Sequence, residues 1–190
     1  MTVVSGDFEL TIEELGCVAR YVVESAEEVL PVFEAVSPDD PRPRAAVDAA
    51  WEFVNGARRT NLQRRTSLDA HRAAKEAPTE AARLAARAAG DAASAAYLHP
   101  IAKSHQVGHI LRAAASAARI GELNAGDDPH VGNELIERAR QRATLTLTDV
   151  LGRYPAAQPG KGRVAELMCA LDAALRATSR SGRDAGISTR

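Results

Sequence analysis

The stretch from Leu10 to Phe33, LTIEELGCVARYVVESAEEVLPVF, decides the fold class of this 190-residue chain. It opens on a capping box, in which the Thr11 hydroxyl accepts from the first helical turn and Glu14 reaches back to the Thr11 backbone. Apolar side chains then recur three and four residues apart, the spacing of one buried helical stripe. They are Leu15, Val18, Ala19, Val22, Ala26, Val29 and Leu30. Pro31 is expected to kink or end this helix, because its ring removes a donor and crowds the preceding turn.

The rest of the chain repeats the helical pattern, and no segment shows the alternation of a strand. We predict an all-α, single-domain bundle of about seven helices with no sheet, spanning residues 1–178. Beyond Thr178 the apolar stripe stops, which predicts a flexible, disordered basic tail over residues 179–190. The pattern also predicts two helix boundaries: Pro78 lies in the first turn of the fourth helix, and the sixth helix starts between Asp128 and Asn133 and reaches Val150 or Leu151.

Composition favours packed helices over sheet. Aromatic residues make up 4% of the chain and hydrophobic residues 45%, so the core is built from Ala, Leu, Val and Ile. Alanine is the strongest helix former, and alanine-lined helices approach each other closely. A chain of this length is ample for one substantial core.

The net charge and the lack of recognisable targeting segments limit the classes of partner and the compartment that we predict. The formal net charge of -1 gives no general attraction to nucleic acid, and the basic stretch GARRTNLQRRT contains no aromatic residue for base stacking. The acidic first forty residues and the arginines that follow are expected to face solvent or to pair with each other. No signal peptide and no run of about 18 apolar residues is present. We therefore predict a cytoplasmic protein with no nucleic-acid and no membrane partner, and its two cysteines fit a reducing compartment.

Three histidines stand within the sixteen residues AYLHPIAKSHQVGHIL, Ala96 to Leu111. His105 and His109 share a helical face, so they could ligate a metal if folding supplied a third ligand. The motif HQVGH has Gln106 where a metallopeptidase needs a glutamate base. The alternative is that these imidazoles are polar or capping groups, facing water or a second helix interface. His99 before Pro100 either caps carbonyl groups or contacts a ligand.

No catalytic motif is recognisable in the sequence. QPGKGR lacks the spacing of a phosphate-binding loop and has no preceding strand. No nucleophile elbow or Cys–His pair is present either. We therefore predict no enzyme activity, no catalytic residue and no cofactor.

Several segments together resemble a bacterial family of putative immunity proteins, the immunity-five-like group, over about residues 15–176. The segments are DPRPRAAVDAAWEFVNGARRT, AHRAAKEA, AARAAGDAASAAYLHPIAKSHQVGHIL, ELNAGDDPHVG and GRYPAAQPGKGRVAELMCALDAAL. The resemblance implies a small helical protein that neutralises a toxin by binding it. The matching residues able to make polar contacts are Arg44, Arg58, Arg59, Thr60, His71, Tyr97, His99, Gln106 and His109.

Three hypotheses follow. The first is a noncatalytic protein that binds a cognate toxin. The second is a helical protein that sequesters a small molecule, such as an antibiotic or metabolite, in a pocket lined by His71, Tyr97, His99 and His109. The third is a metalloprotein built on His105 and His109. A homo-oligomer is compatible with each, and the candidate contact residues are Arg58, Arg59, His71, Tyr97, His99, Gln106 and His109.

Overall fold

The computed structural model describes the backbone of residues 3–187 and the side chains of residues 3–178. Within these limits a short β-hairpin precedes eight α-helices, so the predicted helical class is confirmed. The strands are β1 (Val3–Ser5) and β2 (Glu9–Thr11). The helices are α1 (Ile12–Glu34), α2 (Arg42–Val54), α3 (Asn61–Glu76), α4 (Glu80–Ala95), α5 (Val107–Asn124), α6 (Pro129–Arg142), α7 (Leu145–Gly152) and α8 (Arg163–Ile187), with a 3-10 turn at Ser104–Gln106. The predicted tail over residues 179–190 lies outside the residues that are described in full.

The prediction of no sheet is wrong by one small element. β1 and β2 pair antiparallel, with Val4 opposite Leu10. Each strand has three residues, too few to show an alternating pattern in the sequence. Leu10 is fully buried, so the hairpin attaches the start of the chain to the helical core.

α1 forms largely as its sequence predicts. The Thr11 N–H donates to Glu14 Oε2 over 2.8 Å, and the Glu14 N–H donates to Thr11 Oγ1 over 3.1 Å, completing the capping box. Pro31 does not end the helix, which continues to Glu34. Proline removes only its own N–H, and the Ala35 N–H still donates to the Pro31 carbonyl oxygen over 2.9 Å.

Two predicted helix boundaries are wrong because a threonine cap takes precedence over helical spacing. The predicted sixth helix is two helices: the chain turns extended at Ala143, and Thr144 Oγ1 accepts from the Leu147 N–H over 3.1 Å to start α7. The apolar spacing does not reveal this break. Pro78 likewise lies before α4 and not in its first turn, because Thr79 is the cap.

α4 is the central helix of the molecule. It packs against α1, α2, α3 and α5. Its buried positions are mostly alanines, together with Leu84, Gly90 and Asp91. Because these side chains are small, four helices can approach α4 closely. The alanine-rich composition thus explains how a core with few aromatic residues is filled. In the described part of the chain, no helix has both the length and the apolar character needed to cross a lipid bilayer.

Candidate functional site

A buried carboxylate on α4 is the centre of the candidate site. The Asp91 side chain is 1% exposed. Arg112 on α5 reaches it with two hydrogen bonds, from Nε to Oδ2 over 2.8 Å and from Nη2 to Oδ1 over 2.7 Å. A buried charge is costly unless it is paired and hydrogen-bonded. The bidentate pair therefore fixes the orientation of the Arg112 guanidinium.

Two imidazoles approach this ion pair. Nε2 of His71, on α3, lies 3.8 Å from Asp91 Oδ1, and Nδ1 of His109, on α5, lies 3.4 Å from Ser94 Oγ. Burial lowers the pKa of both histidines below the usual 6.5, although the Asp91 charge acts in the opposite direction. The positive charge of Arg112 lowers both pKa values further. We therefore expect both rings to be mainly neutral at pH 7.

The His71 ring and four cations open onto one cleft of about 350 Å³ between α3, α4 and α5, which we call the cationic cleft. His71 and Lys75 are one turn apart on α3, and Arg83 and Arg87 are one turn apart on α4. Arg112 comes from α5, and Ala74 completes the lining. The side chains of Lys75, Arg83 and Arg87 form no ion pair or hydrogen bond with the described residues. The cleft thus presents unpaired donors to any molecule that enters it.

A second group of cations lies on the loop before α3 and on the first turns of α3; we call this group, Arg58, Arg59, Arg64 and Arg65 together with Tyr97, the arginine corner. The guanidinium carbons of Arg59 and Arg64 lie 5.3 and 4.3 Å from the Tyr97 ring centroid, which is cation–π geometry. The Tyr97 hydroxyl donates to the Thr60 carbonyl oxygen over 2.7 Å. Arg58 and Arg65 are exposed and have no side-chain partner within residues 3–178.

The acidic and basic segments, which were expected to face solvent or to pair with each other, do both. Arg44 pairs with Glu34, with Nε 2.9 Å from Oε1. By contrast, none of the four arginines of the arginine corner pairs with a described carboxylate. The segment 57–90 carries seven arginines and one lysine against three acidic residues. α3, α4 and the loop before them therefore form a basic region on a chain of nearly neutral total charge.

The predicted contact residues divide into separate places. His71 lines the cationic cleft, and His109 lies close to its ion pair. Arg58, Arg59 and Tyr97 form the arginine corner. His99 and Gln106 belong to the connection between α4 and α5, where the His99 N–H donates to Gln106 Oε1 over 3.2 Å. Of these four residues, His71, Tyr97, His99 and His109, only His71 is among the side chains that line the cationic cleft.

The histidine pair that suggested a metal has other partners. His105 Nε2 lies 2.8 Å from Gln106 Nε2, while His109 is directed to Ser94. Among the described residues, no group of three or more His, Cys, Asp or Glu side chains is placed to hold a metal ion. On the same face of α5, Ser116 is buried and Arg112 reaches α4, so this face forms a second helix interface.

Sequence reasoning missed the cationic cleft. The sequence does not single out Lys75, Arg83, Arg87 or Asp91 as candidate site residues. The sequence does contain one signal for the cleft. His71 and Lys75 are four residues apart on α3, and Arg83 and Arg87 are four residues apart on α4. Arg112 follows Asp91 by 21 residues, so only the packing of α4 on α5 reveals their pairing.

The fold and these surfaces define an alanine-rich helical protein with unpaired cations on α3 and α4. A sequence model of the Imm-5 like putative immunity protein family matches residues 10–147, and the chain belongs to this family. The match confirms the family resemblance, and it includes both the cationic cleft and the arginine corner. No curated protein and no solved structure matches the chain.

Proposed function

We propose that this protein neutralises a partner toxin by binding it directly, without catalysing a reaction. Membership of the Imm-5 like putative immunity protein family is the observation that carries the proposal. An immunity role requires a partner, and a partner requires a surface whose polar groups are free to pair. We infer that the protein binds the toxin in the cytoplasm, where the free Cys17 and Cys169 would stay reduced.

The arginine corner is the surface that we assign to the toxin. Its guanidinium groups can make bidentate hydrogen bonds to carboxylates, and their planar fork loses less entropy on pairing than a lysine does. Two of them are held against the Tyr97 ring. Arginine and tyrosine are also residue types that dominate the binding energy of protein interfaces. The toxin is expected to present an acidic patch to this corner.

Growth rescue tests the proposal. A toxin gene adjacent to the gene for this protein is induced in a bacterial host, alone or with this protein. Co-expression is expected to restore growth. The double variant Arg58→Glu/Arg65→Glu should abolish rescue, because it reverses two exposed charges that have no partner in the described structure.

Arg138→Glu is the single charge-reversal control outside the arginine corner, and the single variant Arg58→Glu is its match within the corner. Arg138 is exposed on α6 and forms no ion pair in the described part of the chain, so its reversal changes charge away from the arginine corner. This variant should still rescue growth. Failure of the unmodified protein to rescue growth from any adjacent gene product would overturn the proposal, and equal loss in both variants would remove the assignment to the corner.

A further inference from the structure

We propose that the cationic cleft binds a phosphate-type dianion carried by a small molecule. The arrangement of His71, Lys75, Arg83, Arg87 and Arg112 around one concave volume supports this site. It is separate from the arginine corner and does not depend on toxin binding. The shared chemistry is a phosphate group, which could be free inorganic phosphate or the phosphate of a sugar or nucleotide.

The first argument is electrostatic. Lys75, Arg83, Arg87 and Arg112 place four positive charges around the cleft, and the buried Asp91 offsets one of them, while His71 is neutral. Like charges brought together in a partly enclosed space repel each other more strongly than they do in bulk water. A dianion removes most of this repulsion. A single carboxylate carries half the charge of a dianion, so it would leave more of the cleft's positive charge uncompensated.

The second argument is preorganisation. Arg112 uses Nε and Nη2 to hold Asp91, so its guanidinium is fixed before any ligand arrives. Its Nη1 makes no hydrogen bond within the described residues, and its side chain is 31% exposed at the cleft. A fixed donor avoids part of the ordering cost of binding. The buried Asp91 therefore acts as a positioning residue for an arginine that faces the ligand.

The third argument is shape and lining. A volume of about 350 Å³ lies at the lower end of ligand pockets and suits a compact anion. Apart from His71, none of the described residues that line the cleft is aromatic, so they offer no platform for stacking successive bases. The neutral His71 can donate one N–H to a phosphate oxygen. These features favour a small phosphate compound over a nucleic-acid strand.

Isothermal titration calorimetry with inorganic phosphate, glucose 6-phosphate and AMP tests the site, and acetate serves as the single-carboxylate comparison. The unmodified protein should bind at least one phosphate probe with one site and bind acetate at least tenfold more weakly. Arg83→Gln/Arg87→Gln should weaken phosphate binding at least tenfold. Both arginines are exposed, so this variant should unfold at the same urea concentration as the unmodified protein.

The matched control is Arg58→Gln/Arg65→Gln, which removes the same charge from the arginine corner and should change phosphate affinity less than twofold. A second readout is the His71 Cε1 proton signal, whose titration should move to higher pH when phosphate is bound. Three results would overturn the proposal: no saturable phosphate binding, equal loss in both double variants, or acetate binding as tight as phosphate. Affinity that increases with the length of a 5′-phosphorylated oligonucleotide would also overturn it, in favour of a nucleic-acid surface.

Discussion

The imidazole of His71 packs directly against the backbone of Gly90 on the neighbouring helix. A Cβ atom at position 90 would lie 2.8 Å from ring atoms Cε1 and Nε2. The glycine therefore lets α3 place its histidine between α4 and the cationic cleft. From the sequence alone, Gly90 is recognisable only as a residue of low helix propensity within a predicted helix.

Gly90→Ala should separate ligand binding from stability. Alanine gains about 1 kcal/mol of helix propensity, while the half-exposed His71 ring can turn toward the cleft to relieve the overlap. We expect the free energy of unfolding to change by less than about 1 kcal/mol and phosphate affinity to fall severalfold. Urea unfolding and calorimetry measure the two quantities. Unchanged affinity would mean that the position of His71 does not matter to the ligand.

The Asp91–Arg112 pair should show strong coupling. Arg112→Met leaves a buried carboxylate without its partner, which costs about 3 kcal/mol or more of stability. Asp91→Asn/Arg112→Met should be more stable than Arg112→Met alone, because the uncompensated charge is gone. Urea unfolding of both single variants and the double variant gives the coupling energy. If the losses of stability in the two single variants simply added up in the double variant, Asp91 and Arg112 would not be directly paired.

The buried carboxylate of Glu122 leaves no room for a side chain at Gly132. Glu122 on α5 accepts hydrogen bonds from Arg163 and Arg119, and its side chain is 1% exposed. A Cβ at Gly132 would lie 2.7 Å from Glu122 Cγ, with the carboxylate held in place by the arginines. We therefore expect Gly132→Ala to cost about 1–3 kcal/mol in the free energy of unfolding.

Gly152→Ala is the comparison, because nothing lies within 4 Å of a Cβ at that position. Its effect should stay within about 0.5 kcal/mol. Thermal and urea unfolding of the two alanine variants should thus differ clearly. If Gly132→Ala were as stable as Gly152→Ala, α6 would not pack against Glu122 as described.

Stability should fall as the pH drops below about 6.5. Burial lowers the pKa of His71 and His109 in the folded protein, so the unfolded chain binds more protons in this range. Protonation therefore favours unfolding as the pH decreases. The hydrogen bond from Arg153 holds the pKa of Glu14 below 4.5, so stability from that carboxylate is lost only at lower pH.

Urea unfolding between pH 7.5 and 5.0 measures this effect. His71→Asn/His109→Gln should reduce the slope of stability against pH in that window. Stability that rises on acidification would contradict neutral, buried imidazoles.

The sequence predicts α1 well because its capping box and apolar stripe are local. It does not predict the break at Ala143, since the apolar spacing continues in phase across it. The β-hairpin is missed because three residues per strand show no alternation. The cationic cleft is missed for a different reason: Lys75, Arg87 and Arg112 lie on three helices. Only tertiary packing around the small residues of α4 brings such charges together.

The central claim is that this protein binds and does not react. It is tested most directly by mixing purified toxin and purified protein, then measuring complex mass by light scattering and the intact mass of each chain by mass spectrometry. We predict a stable complex of fixed stoichiometry in which the toxin keeps its mass and loses its activity. A toxin that is cleaved or covalently altered, or that is inactivated without forming a complex, would contradict the claim.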